Sequence, residues 1–235
     1  MKRETEHTGT SYEGKARKYA ETVDTKPWNA FYERPAVISL LPSLMNTKVL
    51  DAGCGSGWYA EYLINHGATV TAFDFNTDFV ALTQARVNGR ARVLQADLAE
   101  PLDFARAGEF DVVVCPLVMH YLKNWEPVFR EFHRALKPQG VLVFSTHHPF
   151  QDWKYFKKEN YFAVDLLEDE WDIGKVRFYR RPLTAISQAL DSAGFYIERL
   201  LEPQPTEDFR QVNSEGYEHH TKNPLFLVVR ARKKD

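Results

Sequence analysis

The chain holds 235 residues, with 30 Lys and Arg against 32 Asp and Glu and a formal net charge of −2. That suits one domain with a sizeable core and lacks the basic excess with which proteins neutralise nucleic-acid phosphates. No apolar run approaches the ~18 residues of a membrane span. Cys54 and Cys115 make neither a disulfide framework nor a metal-ligand pattern, so no metal is expected. Met1–Thr10 are polar and charged rather than signal-like, which predicts a cytoplasmic protein.

Residues 1–45 read as a helical cap. Tyr12, Ala16, Tyr19 and Ala20 share one face of an expected helix over Ser11–Ala20, and Asn29–Leu41 is a second, broken by Pro42. A core then spans 46–148. Val49-Leu50 is a strand apolar on both faces, followed by Asp51-Ala52-Gly53-Cys54-Gly55-Ser56-Gly57 and a helix to His66. Alternate glycines let the backbone turn sharply and leave its N–H groups open to a ligand. The frame Gly55-Ser56-Gly57-Trp58-Tyr59-Ala60 also matches the dinucleotide pattern, which keeps a nicotinamide-dependent oxidoreductase as the alternative. Asp51 argues against it: a carboxylate repels a pyrophosphate and attracts an ammonium or sulfonium.

A second strand, Ala68–Asp74, ends in an acid 17 positions after Gly57, close to the spacing of a ribose-binding carboxylate. Asn76 or Thr77 caps the next helix. A third strand, Ala91–Leu98, carries Asp97 near its end. The D-x-G-x-G-x-G run, with these two acids behind it, resembles motif I of the class I S-adenosylmethionine-dependent methyltransferases. The resemblance implies S-adenosyl-L-methionine as cofactor. Asp51, Gly53, Gly55 and Gly57 would hold its amino-acid end, Asp74 and Phe75 its ribose, Asp97 and Leu98 its adenine, with Pro116 beside it. Tyr12-Glu13-Gly14-Lys15-Ala16-Arg17-Lys18-Tyr19 is similar to a cofactor-covering segment of that family, which makes Tyr19 and Tyr32 the expected aromatic lid over the sulfonium.

Phe110–Cys115 is the fourth strand, and Pro116-Leu117-Val118-Met119-His120-Tyr121 resembles the form found in ubiquinone- and menaquinone-biosynthesis methyltransferases, with His120 and Tyr121 in the acceptor pocket. Trp125–Leu136 reads as an amphipathic helix, 137–140 as a turn and Val141–Thr146 as strand five. His147 and His148 close that strand. Only one can face the cleft, and that one is the expected proton acceptor. Residues 149–180 are an aromatic insertion, expected to be a substrate lid with Trp153 and Tyr155 in the pocket, its acidic run 168–170 a solvated loop. The remainder, 181–235, reads as a helix over Arg181–Ser192, strands over Phe195–Leu201 and Asn223–Arg232, and a long loop over 203–222 between them.

The expected fold is α/β: a doubly wound, seven-stranded, mostly parallel sheet in a single domain. The expected function is methyl transfer from S-adenosylmethionine to a small-molecule acceptor. A non-catalytic S-adenosylmethionine-binding protein is the remaining alternative.

Overall fold

The fold is that of a computed structural model, which describes Thr8 and residues 12–234. In chain order the strands are β1 (Lys48–Ala52), β2 (Thr69–Asp74), β3 (Arg92–Gln95), β4 (Phe110–Pro116), β5 (Leu136–His147), β6 (Asp165–Trp171), β7 (Gly174–Arg180), β8 (Phe195–Leu201) and β9 (Phe226–Lys233). The helices are α1 (Ala16–Val23), α2 (Arg34–Leu40), α3 (Trp58–Asn65), α4 (Thr77–Val87), α5 (Glu126–Ala135), α6 (Pro149–Tyr155), α7 (Leu183–Ser192), α8 (Glu207–Val212) and α9 (Ser214–His220). Seven strands form one sheet in the order β3-β2-β1-β4-β5-β9-β8. Only β9 runs against its neighbours.

Strand alternation distributes the core over both faces of the sheet. Leu50, Val113, Leu142 and Phe144 pack with Phe129, Phe132 and Leu190 from α5 and α7. Val49, Val112, Val114 and Val143 point the other way, onto Val37, Leu40 and Leu63 from α2 and α3. Residues apolar on both faces therefore demand helices on both faces, which is the doubly wound arrangement the sequence implies. β1 lies between β2 and β4. The winding reverses there, and a crevice opens above the carboxyl ends of β1 and β4.

Several expected elements are corrected. The first helix starts at Ala16, after Gly14 takes a left-handed backbone; Ser11 and, apart from Thr8, the residues of Met1–Thr10 lie outside the described residues. The segment 29–41 is not one helix. A π-helical turn, Asn29–Glu33, precedes α2, which shifts every side chain of that turn relative to an α-helical reading. β3 is short, so Asp97 and Leu98 lie in the loop beyond it. α5 ends one residue early and β5 absorbs the expected turn at 137–140, with its register against β4 shifting between Phe110 and Val112. The acidic run 168–170 belongs to β6, which pairs with β7 as a separate antiparallel hairpin. The expected loop 203–222 contains α8 and α9.

Candidate active site

Asp51 sits near the carboxyl end of β1, fully buried at 0% exposure. Neither of its carboxylate oxygens has a hydrogen-bond partner among the described residues. Burial, and then the charge of Asp74, push its pKa up to about 7. The backbone N–H of Ala60 offsets only part of that rise and closes no hydrogen bond, so the poorly satisfied carboxyl suits a cationic partner.

Asp74 closes β2. It accepts from the backbone N–H groups of Gly55 (3.0 Å) and Asn76 (3.0 Å), which fixes the carboxylate against the glycine turn. Burial raises its pKa to about 6. Two of the three glycines have structural reasons of their own. At Gly53 and Gly57 the backbone is left-handed, and a Cβ would lie 2.5 Å from Val118 and 2.9 Å from Thr83. Gly55 is also left-handed, but a Cβ there would point into open space. Chain packing thus requires Gly53 and Gly57, while Gly55 leaves room for a ligand.

These residues share a cleft that encloses about 150 Å³. It is lined by Asp51, Gly53, Gly55, Asp74, Phe75, Asp97, Leu98, Pro116 and Tyr19, all expected, together with Tyr121. Gly57 stands one step back as the N-cap of α3. Asp97 lies in the loop after β3, where its Oδ1 accepts from the N–H of Ala99 (2.9 Å). Leu117, just after β4, holds a strained left-handed backbone at the cleft wall. It is tied there by bonds from its N–H to the carbonyl (3.1 Å) and hydroxyl (3.0 Å) of Ser145.

The cleft also holds residues that the sequence reading missed. Arg34 is buried, donates to the carbonyls of Asp24 (2.8 Å) and Val23 (3.0 Å), and lies 4.2 Å over the Trp58 ring. Glu33 is buried and accepts from Tyr59 (2.9 Å) and Ser145 (2.5 Å), and burial raises its pKa. One end is closed by an aromatic cluster: Tyr12 packs against Tyr19 (5.1 Å) and Phe79 (5.4 Å), and its hydroxyl meets that of Tyr121 (3.0 Å). The carboxyl groups outnumber the guanidinium of Arg34, which favours a ligand with a cationic head that also carries one carboxylate.

Other expected site residues lie elsewhere. Tyr32 is fully buried between Phe209 and Phe226, its hydroxyl accepting from the N–H of Leu225 (3.1 Å), because the π-helical turn directs Asn29 and Glu33 to the cleft instead. His148 turns outward onto Glu202 (2.7 Å). His147 points inward and stacks on His120 at 4.3 Å. No residue of 149–180 lines the cleft. Tyr155 is 62% exposed, and Trp153 packs on Phe150 and Tyr161. The hairpin instead forms a second layer: Leu167, Ile173, Val176 and Phe178 pack behind Tyr12, Tyr19, Phe79 and Tyr121. Among the described residues no cluster of three metal-ligating side chains occurs.

Residues 50–144 match the family model described as "Methyltransferase domain". An uncharacterized methyltransferase of Synechocystis sp. is 31% identical over 156 residues, covering 65% of this chain and 68% of that protein. The chain belongs to the S-adenosylmethionine-dependent methyltransferases. A ubiquinone biosynthesis O-methyltransferase of Pseudomonas syringae is 36% identical over 110 residues, 44% of this chain and less than half, 46%, of that enzyme. The crystal structure of an S-adenosylmethionine-dependent methyltransferase from Mesorhizobium loti superposes with a TM-score of 0.72 at 25% identity, over 90% of this chain and 100% of that one. The family settles the cofactor in favour of S-adenosylmethionine over a dinucleotide. The methyltransferase's cleft fits it: orphaned Asp51 suits an ammonium, Arg34 a carboxylate, and the space at Gly55 a close approach.

Proposed function

We propose that this methyltransferase modifies a small-molecule acceptor, with the cofactor held across the carboxyl ends of β1, β2 and β4. When bound, S-adenosylmethionine supplies a methyl on a sulfonium, an inherently good leaving group, so the chain's work is orientation and exclusion of water. Asp51 and Arg34 bind the two charges of the amino-acid end. Asp74, already aimed by two backbone N–H groups, accepts from the ribose hydroxyls. Asp97 and Leu98 flank the adenine. Tyr19, joined by Tyr12 and Tyr121, presents aromatic rings to the cationic end.

The observation that carries the reading is the orphaned carboxyl of Asp51 in the same cleft as Asp74 and Gly55. The acceptor class rests on shape. The cleft ends against the Tyr12–Tyr121 pair, backed by the hairpin, a closed aromatic end suited to a compact acceptor rather than a polymer. The ubiquinone-pathway name of one relative agrees. In a cell extract given methyl-tritiated S-adenosylmethionine, added enzyme is expected to place label in the fraction below about 1 kDa. Label confined to protein or nucleic acid would contradict the acceptor class.

A further inference from the structure

Two carboxyl groups of the cleft use their oxygens in opposite ways. Asp51 has neither oxygen in a hydrogen bond among the described residues, as suits a ligand group. Glu33 has both engaged: Oε2 accepts from the Tyr59 hydroxyl (2.9 Å) and Oε1 from that of Ser145 (2.5 Å). At 1% exposure it has little surface left to offer. A buried carboxylate so occupied serves the chain rather than a ligand.

Ser145, on β5, is fully buried. Its hydroxyl oxygen accepts from the N–H of Leu117 (3.0 Å), and the same N–H also reaches the Ser145 carbonyl (3.1 Å). A hydroxyl has one proton to give, and here Glu33 receives it. The carboxylate thereby fixes the rotation of the hydroxyl and polarises it, which strengthens its oxygen as the acceptor for Leu117. Leu117 is the residue that needs such help. Its φ of 53° is left-handed, a conformation that a leucine adopts only when its surroundings impose it. Its side chain packs with the cluster of Tyr32, Phe209 and Phe226, while the residue lines the cleft. The turn Asn29–Glu33 thus holds Leu117 twice: Tyr32 belongs to the cluster around its side chain, and Glu33 acts on its N–H through Ser145. Tyr59, the other partner of Glu33, stands in the first turn of α3 and lines the cleft as well. One carboxylate from the cap therefore joins the helix that follows β1 to the wall that follows β4.

We propose that Glu33 is a positioning residue for cofactor binding: by orienting Ser145 it holds Leu117 in its left-handed conformation, so that docking of the cap and formation of the cleft wall are one event. The proposal rests on the placement of S-adenosylmethionine in this cleft and adds how the chain shapes the site. Glu33 and Ser145 are 112 positions apart, so their bond forms only once the cap has folded onto the sheet. The neighbouring cation does not replace it. Arg34 is committed to the carbonyls of Val23 and Asp24, and among the described residues it pairs with Asp24 rather than with Glu33. Burial raises the pKa of Glu33, while the hydroxyls of Ser145 and Tyr59 and the charge of Arg34 oppose the rise and favour the acceptor form that the two bonds require.

The test reads the Leu117 amide and the affinity of the cofactor site together, in the full chain. With leucine labelled in its backbone nitrogen, the Leu117 N–H is expected to exchange slowly with solvent in the wild type. In Glu33→Ala and in Ser145→Ala it should exchange roughly tenfold faster, although the Glu33 carboxylate bonds Ser145 and not Leu117. S-adenosylhomocysteine, the probe for the cofactor site, should bind each variant roughly tenfold more weakly. The double variant should lose no more than the worse single one, since both substitutions cut the same chain of bonds. Leu117→Gly added to Ser145→Ala should recover most of the lost affinity, because glycine takes a left-handed backbone unaided. A merely structural role for Ser145 would not be rescued at Leu117. Should Glu33→Ala fail to fold, Ser145→Ala and its Leu117→Gly rescue decide the matter. Wild-type affinity in the single variants, additive losses in the double one, or an unrescued Ser145→Ala overturns the proposal while the cofactor reading stands. If the wild type does not bind S-adenosylhomocysteine, the cofactor reading falls, and the proposal with it.

Discussion

S-Adenosylmethionine affinity is expected to weaken about tenfold for each pH unit below about 7, a dependence carried by Asp51. The pKa of its carboxyl is raised from 3.8 to about 7, first by burial and then by Asp74. A rise of roughly three units costs on the order of 4 kcal/mol of folding free energy once the group is ionised. Because the folded-state value lies above the ordinary one, the ligand-free protein is spared this cost in acid and incurs it as pH rises from about 4 through 7. An ammonium docked on the ionised carboxylate recovers it. Below pH 7 the carboxyl must first lose its proton, so binding releases one and affinity drops. Near pH 6 the raised pKa of Asp74 steepens the fall. Calorimetry in buffers of different ionisation heat should record proton release at pH 6.5 for the wild type and little for Asp51→Asn. A flat affinity between pH 5.5 and 7.5 would remove Asp51 from the binding site.

Arg180→Met is expected to lower unfolding free energy by about 3 kcal/mol, because it strips a fully buried cation from all its partners. Arg180 is 1% exposed. It pairs with Asp165 through Nε (3.2 Å) and Nη2 (2.5 Å), and donates to the carbonyls of Asn160, Tyr161 and Ala163. Those acceptors make up the crossing from α6 to β6, so one guanidinium ties the insertion to the hairpin. For a chain of this size the loss corresponds to a fall in Tm of roughly 6–12 °C. A fall below about 2 °C in thermal unfolding would show that the crossing is held by other contacts.

The lining of the candidate cofactor cleft was legible because its signals are local. A strand, an acid and alternate glycines occupy nine consecutive residues, and the capping of α4 by Asn76 can be read the same way. Asp74 followed from spacing alone. What failed depends on registers that local patterns do not determine. One extra residue in the turn Asn29–Glu33 moved Tyr32 out of the cleft and brought Glu33 in. No sequence rule marks Arg34 as buried, since charged side chains default to the surface. The acidic run 168–170 reads as a loop by composition, yet in β6 its members alternate across a hairpin whose other face holds Leu167. Helices α8 and α9 did carry short signals, Asn213 capping Gly216 among them, but six and seven residues are too few for a hydrophobic period to show. His147 and His148 were expected to divide so that one faces the cleft, but neither lines it: His147 meets His120 and His148 meets Glu202, a packing that strand alternation does not determine.

The placement of the cofactor stands or falls on Asp74, the residue whose carboxylate is already oriented by Gly55 and Asn76. Calorimetric titration of S-adenosylmethionine into Asp74→Ala at pH 7.5 should give a Kd roughly ten- to a hundredfold weaker than wild type, the loss of ~1.5–3 kcal/mol expected for a charged hydrogen-bond acceptor, with the fold intact by circular dichroism. An unchanged Kd in the folded variant would contradict the account.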